Sequence, residues 1–441
     1  MNIFQNVVWL LVLIGVMILI HELGHFWAAR FFDVKVEVFS FGFGPRLFGF
    51  KRGETDYRFS AILFGGYVKM SGEQPGEDGG DDPRGFLAKP RGQRLIIAFA
   101  GPFMNIVLAV ALLTGLYMVK FQKIVEPKER AVIAHVMPDS AAQKAGVVVG
   151  DRIVRIDGTE NPTWEDITIT EIASAYKTIP VTVERAGKRV ELSVTPVLDD
   201  RIGVGSAGWV QRSEIQVANV TAGMPAETAG LRRGDLLLTV NGQPIQSPYR
   251  LQEIIKNSNG KSVEVEYERE RRRQAVSITP VLSALQGQQR WMIGVEPQVK
   301  LEIVTMKLSL PAAFAESVRQ NAQSGMLIVQ FLKGMIERRM SPKSLEGPIG
   351  IARLSGDAAR EGPTAFILLM AMVSLNLAIF NLLPIPILDG GVILMLLVEM
   401  VMRRDISIVV KEAVFKVGFV FLMAVVMFVL YSDISKLLPP G

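Results

Sequence analysis

Cysteine is missing from all 441 residues, and histidine occurs only three times. Without cysteine there are no disulfides, and a disulfide-free domain folds in either redox environment, so the compartment's redox state is not written in the sequence. Charge is also scarce: 21% of residues are ionised, and the formal net charge of +5 is small for this length. That balance gives no electrostatic footprint for nucleic acid. Apolar residues make up 49%, and the mean hydropathy of +0.30 exceeds that of ordinary water-soluble domains.

Charge is almost wholly absent from four stretches, each long enough to approach the roughly 20 helical residues that cross a hydrocarbon core of about 30 Å. The first runs from Val7 to Ala29, where only His21, Glu22 and His25 can ionise. Arg94 and Lys120 frame the second, the third begins near Pro363 and stays uncharged until Asp389, and the fourth covers Val417 to Tyr431. Met1 to Asn6 carries no Lys or Arg and no small-residue cleavage site precedes His21, so the first stretch reads as a span rather than a cleaved leader.

Lys and Arg in short loops stay cytoplasmic. Arg30, Lys35, Arg46, Lys51, Arg52, Arg84, Lys89, Arg91 and Arg94 lie between spans one and two, and Arg403, Arg404, Lys411 and Lys416 between spans three and four. Both loops are expected inside, with the termini and the large middle region on the outer side, which is the periplasm if the cell is Gram-negative. A long translocated domain escapes the charge rule, so its own basic residues do not conflict with this.

The water-soluble middle contains a repeat at a spacing of 84 residues. Ala145-Gly146-Val147-Val148-Val149-Gly150-Asp151 matches Ala229-Gly230-Leu231-Arg232-Arg233-Gly234-Asp235. Each copy runs into an apolar strand that ends at Asp157-Gly158 or Asn241-Gly242, dipeptides that suit tight turns because both positions tolerate positive φ. Ile202-Gly203-Val204 and Ile293-Gly294-Val295 follow in turn. A short helix ending at Ala-Gly, then Gly-Asp, a strand and a turn resembles PDZ domains of the bacterial, circularly permuted type. Such domains bind extended peptide ends by strand addition; a tandem that only fills space or limits access fits equally well. His135 aligns with Asn219, which makes it an ordinary strand position rather than a ligand.

His21-Glu22-Leu23-Gly24-His25 is an H-E-x-x-H motif, and on a helix its imidazoles share one face as i, i+4 neighbours. Zinc takes imidazole nitrogen and carboxylate oxygen, with three protein ligands and one position left for water at a catalytic site. Glu22 is placed to accept the water's proton and deliver it to a leaving amine. Ionisable groups within hydrocarbon are costly and persist where function needs them, so three within five residues argue against a merely structural polar patch.

Asp389 ends the third uncharged stretch within Asn381-Leu-Leu-Pro384-Ile-Pro386-Ile-Leu388-Asp389-Gly390-Gly391. The prolines break the helix, and broken backbone at membrane depth has to be buried in protein or line a wet cavity. A third metal ligand and an N-terminal helix cap both fit Asp389, and the residues alone leave the two open.

The two motifs together resemble the site-2 protease family. Gly101-Pro102-Phe103-Met104-Asn105 and Phe64-Gly65-Gly66-Tyr67-Val68 are similar to that family's pattern too, and the resemblance covers essentially the whole chain. It implies an intramembrane zinc endopeptidase in which His21, His25 and Asp389 hold Zn2+, Glu22 activates water and Asn381 helps to hold the substrate strand. It further implies single-span membrane substrates: an anti-sigma factor already trimmed outside, cut within its span to release a cytoplasmic fragment, and signal-peptide remnants.

Thr55-Asp-Tyr57-Arg-Phe59-Ser-Ala61-Ile62-Leu63 alternates in part after the glycine-rich, turn-like run Phe41-Gly42-Phe43-Gly44-Pro45. A small membrane-associated hairpin or sheet is expected there, with Tyr57, Phe59 and Ala61 on the edge strand that pairs with unwound substrate. Residues 73–82 are acidic and glycine-rich but lack EF-hand spacing, and read as a solvated loop rather than a calcium site. Apolar positions from Leu310 to Met340 recur at helical spacing, as in amphipathic helices on the outer face.

The fold expected is thus a multi-span α-helical membrane protein with four transmembrane helices, two tandem PDZ-like α+β domains and the small sheet. Its parts are span one (1–30), the cytoplasmic or re-entrant β-rich loop (31–93), span two (94–120), PDZ-like domains at 121–206 and 207–298, amphipathic helices (299–361), span three (362–402) and span four with the C-terminus (403–441). The location is a bacterial inner membrane, with the active site open toward the cytoplasm. Two other classes use the same residues: a zinc transporter, which would more often show repeated polar halves, and a PDZ adaptor with a structural metal, which would more often show four protein ligands.

Overall fold

A polar backbone in hydrocarbon has to satisfy its own hydrogen bonds, and the first uncharged stretch does so as one helix, α1 (Ile3–Phe31). The structure is a computed structural model and describes residues 3–73, 82–124, 131–199, 203–285, 288–301, 303–338, 340–341 and 346–437. The acidic segment 74–81 lies outside the described residues, so the solvated-loop reading is untouched.

After α1 come strands β1 (Val36–Arg52) and β2 (Thr55–Met70), an antiparallel pair in which each strand folds over on itself. Phe39 is matched with Val68 on one side and Tyr57 on the other, and Tyr57 is matched again with Phe50. Across the sheet the segments therefore run 66–70, 36–41, 55–60, 46–52. The run at 41–45, expected as a turn, lies within β1, where Gly42 and Gly44 at φ +97 and +84 let the strand fold back.

Helix α2 (Arg91–Val119) follows. The repeated region contributes the short helices α3 (Ala141–Lys144), α4 (Trp164–Ile172), α5 (Pro225–Thr228) and α6 (Pro248–Asn257). The chain then forms α7 (Leu310–Ile336), α8 (Pro348–Glu361), α9 (Pro363–Asn381), α10 (Asp389–Met402) and α11 (Ile408–Leu437). It divides into two compact units, Met1–Gln122, Thr305–Gln330 and Pro342–Gly441 in one, Lys123–Val304 and Phe331–Ser341 in the other.

In the first unit four helices are long and apolar enough to cross a membrane: α1, α2, α9 and α11. Leu13 and Met17 of α1 pack with Phe366, Leu369 and Met370 of α9, and Ala29, Phe39, Val68, Phe86 and Ile97 seat the sheet against α1 and α2. The region 362–402, expected as one span, is two helices. Pro384 and Pro386 deny donors to a continuous helix, so α9 stops at Asn381 and α10 restarts at Asp389. At 14 residues α10 reaches only about 21 Å, short of a crossing.

Helix α11 exposes most of its apolar length, with Val417, Val420 and Met427 each more than 60% exposed, and is tied to the unit by carboxylates. Asp433 accepts hydrogen bonds from the amides of Gly347, Ile349 and Gly350 at the start of α8, where the helix dipole favours a negative charge. Toward its other end, Lys411 meets the fully buried Glu399 of α10 at 2.6 Å, with Arg94 of α2 at 3.7 Å from the same carboxylate.

In the second unit each copy of the repeat places its Gly-Asp carboxylate under an arginine. Arg185 binds Asp151 and the Gly146 carbonyl; Arg269 binds Asp235 and the Gly230 carbonyl. Strand 133–136 pairs with a returning strand at 209–211, and strand 215–220 with one at 295–299. Ala207 and Trp209 are buried in the first copy's core, so the boundary expected at 206/207 lies instead beyond Gln211, because a closing strand belongs to the sheet it completes. His135 sits in the first of these strands and stacks on Tyr249, ring centres 5.8 Å apart.

Glu399→Gln removes the counter-charge of the buried Arg94 and the half-buried Lys411. Breaking such a pair costs about 3–5 kcal/mol, so a clear fall in the melting temperature of the detergent-purified protein is expected. Lys416→Met, at the exposed Lys416–Glu412 pair, should leave that temperature nearly unchanged.

Candidate active site

Four-residue spacing on α1 puts His21 and His25 on one face, their ring centres 4.9 Å apart. Nε2 of His21 and Nε2 of His25 lie 3.3 Å from each other. The Asp389 carboxylate comes within 3.2 Å of the first and 3.4 Å of the second. Donors held about 2.0–2.1 Å from a tetrahedral zinc stand about 3.3–3.4 Å from one another. The three groups therefore have the spacing and chemistry that zinc requires.

Asp389 reaches the histidines because α9 breaks. Gly390 and Gly391 let the new helix start against the turn, where an added Cβ would lie 2.3 Å from the carbonyl oxygens of Leu382, Leu383 and Ile385. Asp389 is the first residue of α10, and the N-cap position before it is held by Leu388. The Asp389 oxygens face the imidazoles of His21 and His25.

His21, Glu22, His25, Asn381 and Asp389 line one cavity of about 590 Å³. Gly66, Tyr67 and Val68 of β2 form another of its walls, and the amide of Val68 faces the Glu22 carboxyl. Segment 66–70 pairs with 36–41 on one side and, among the described residues, with no strand on the other. It is an open sheet edge beside the histidines.

Tyr57, Phe59 and Ala61 are not that edge. Tyr57 is matched with Phe39 and Phe50, and Phe59 with Phe41 and Phe48, so both flanks of this segment are already taken. Tyr57 and Phe59 line a separate apolar cleft with Leu11, Val12 and Val16 of α1, and Ala61 lines neither space. Partial alternation marked the strand but could not show which of its two passes lay outermost.

Helix α2 supports the imidazoles. Nδ1 of His25 donates to the Ile97 carbonyl at 2.8 Å, and the buried Asn105 carboxamide lies 3.3 Å from Nδ1 of His21. The signal for Asn105 was present in the Gly-Pro-Phe-Met-Asn motif, although that motif carried no assigned role.

Helices of membrane-crossing length around two imidazoles, a converging carboxylate and a neighbouring glutamate define a membrane-embedded metal-dependent hydrolase. Peptidase family M50 matches residues 9–425, and the chain belongs to that family. The chain is 30% identical to the regulator of sigma-E protease RseP of Salmonella typhimurium, over 99% of this chain and 100% of the relative. Identity is 30% to the putative zinc metalloprotease of Vibrio cholerae, over 99% and 100% of the two chains, and 32% to that of Treponema pallidum, over 97% and 98%. The paired motifs resemble those of the Gram-negative regulator of sigma-E protease, and several relatives bear that name. A solved PDZ domain, that of the SdrC-like protein of Listeria monocytogenes, covers 20% of this chain and 88% of its own at 22% identity, with a TM-score of 0.18. The protein is an intramembrane zinc metalloprotease of the site-2 type, and neither the transporter nor the adaptor is favoured.

A Cβ at Gly101 would lie 2.2 Å from Nε2 of His25. Misplacing a catalytic group by about 1 Å costs on the order of 100-fold. Gly101→Ala is therefore expected to lower cleavage of a single-span substrate by about that factor, with an unchanged melting temperature showing that the fold survives.

Proposed function

We propose that His21, His25 and Asp389 hold the zinc, that Glu22 is the general acid-base, and that the substrate is a transmembrane segment cut within the bilayer. The observation that carries this reading is the convergence of two Nε2 atoms and a carboxylate at 3.2–3.4 Å inside helices that can cross a membrane. Bound zinc supplies Lewis acidity, which makes water nucleophilic near neutral pH and polarises the scissile carbonyl. Glu22 takes the proton from the attacking water and returns it to the leaving amine. Asn381, on the cavity wall, hydrogen-bonds the substrate backbone and holds it in place.

A substrate helix hides its amides in its own hydrogen bonds and has to unwind before its carbonyls can be attacked. The open edge at 66–70 offers the exposed backbone a strand partner, by the logic of β-augmentation. The β1–β2 sheet would then dip into the membrane, consistent with the exposed Leu47, Phe48 and Phe50.

The orientation follows from charge. Arg30 lies at the end of α1 nearest the histidines and Arg91 and Arg94 at the start of α2, so the site lies about 8–14 Å from a cytoplasmic helix end. The termini and the repeated unit are then periplasmic in a bacterial inner membrane. Both copies of the repeat are PDZ domains; their shared helix and strand order and their matching Asp–Arg pairs support this. They act as a size filter or bind peptide ends, and the substrates are anti-sigma factors trimmed on the outer side and remnant signal peptides.

Glu22→Gln is expected to reduce cleavage of a single-span substrate by about 10²–10⁴-fold while the purified protein keeps its zinc. Loss of zinc together with activity would place Glu22 among the ligands instead. Deletion of residues 128–297 is expected to permit cleavage of untrimmed substrate in cells; continued refusal of it would remove the filter.

A further inference from the structure

The two imidazoles of α1 are met by a matching four-residue step on α2. Ile97, Gly101 and Asn105 follow one another along one face, and they pair with α1 in reverse order: Ile97 and Gly101 with His25, Asn105 with His21. The Ile97 carbonyl takes the Nδ1 proton of His25, and Gly101 leaves room for that ring. Asn105 is completely buried. Its backbone carbonyl is held by the Ser374 hydroxyl of α9 at 2.8 Å, so the carboxamide is anchored where it meets His21.

A neutral imidazole that binds metal through Nε2 carries its proton on Nδ1 and needs an acceptor there, which fixes the tautomer and the ring orientation. His25 has one in Ile97. As oriented, the carboxamide turns Nδ2, a donor, toward Nδ1 of His21, while Oδ1 is buried with no partner. A half-turn about χ2 exchanges the two atoms and brings the orphaned oxygen to the Nδ1 proton.

We infer that Asn105 is a positioning residue of the metal site, accepting the Nδ1 proton of His21 through Oδ1 so that Nε2 is presented to zinc. The two histidines are thus oriented by different means from one helix, a main-chain carbonyl for His25 and a side-chain amide for His21. The inference rests on the zinc-site reading given under the proposed function.

The test uses the full-length protein in detergent and compares Asn105→Leu, Asn105→Ala and Asn105→Asp with the wild type. Zinc affinity is measured by chelator competition, and site geometry by the visible spectrum of the cobalt-substituted protein. Removing a partner of this kind costs about 10–100-fold in metal affinity, so Leu and Ala are expected to bind zinc that much more weakly and to shift the cobalt bands. Asp keeps an acceptor but has no N–H to donate, and is expected to stay within a few-fold of the wild type. Metal-free melting temperatures separate a folding defect from a site defect, and the smaller Ala variant keeps the test open if Leu does not fold. Wild-type affinity in a folded Leu or Ala variant overturns the inference, and so does an Asp variant as weak as Leu. A wild-type chain that takes up no zinc removes the metal-site reading itself, and this inference with it.

Discussion

Polar side chains in hydrocarbon have to be answered by other polar groups, and this requirement governs how the membrane unit is built around α1. His21 and His25 cannot face lipid. Each Nε2 turns toward Asp389 and each Nδ1 toward α2, at the Ile97 carbonyl or the Asn105 side chain. The contact holds only because Gly101 carries no side chain where α2 passes His25. The break between α9 and α10 follows from the same need, since an unbroken helix could not deliver a carboxylate to that point.

The sheet beside the site answers a second need. Under the proposed function an unwound substrate backbone would pair with the open strand edge beside the site. Open edges are hazards elsewhere because they invite unwanted pairing. Here 66–70 lies against the cavity while its other flank is closed by 36–41. Glu22 sits on α1 beside that edge, its carboxyl facing the amide of Val68.

Buried charge recurs away from the site in a purely architectural role. Glu399 with Lys411 and Arg94, and Asp433 over the amides that open α8, hold a helix whose apolar surface faces mostly outward. In hydrocarbon an apolar face gains little by leaving lipid for protein, so polar ties fix where such a helix sits. In the second unit the carboxylates of Asp151 and Asp235 do comparable work under Arg185 and Arg269, which is why Gly-Asp is the clearest part of the repeat.

What could be read from residue order was whatever is local or periodic. Uncharged runs mark the membrane helices because hydrocarbon excludes charge over a fixed thickness, and a spacing of four puts His21 beside His25 on any α-helix. The repeat announces two similar folding units through turn and helix-end residues with short-range meaning. The tertiary structure decided what depends on distant partners: that Asp389 faces the imidazoles rather than capping α10, that 66–70 and not 57–61 is the open edge, that Trp209 closes the first copy of the repeat, and that Asn105 lies against His21. A strand's alternation tells which faces are apolar but not which neighbours flank it, and a carboxylate at a helix start looks the same whether it caps that helix or reaches across to another. Those choices are made by packing between segments distant in the chain, where local pattern carries no information.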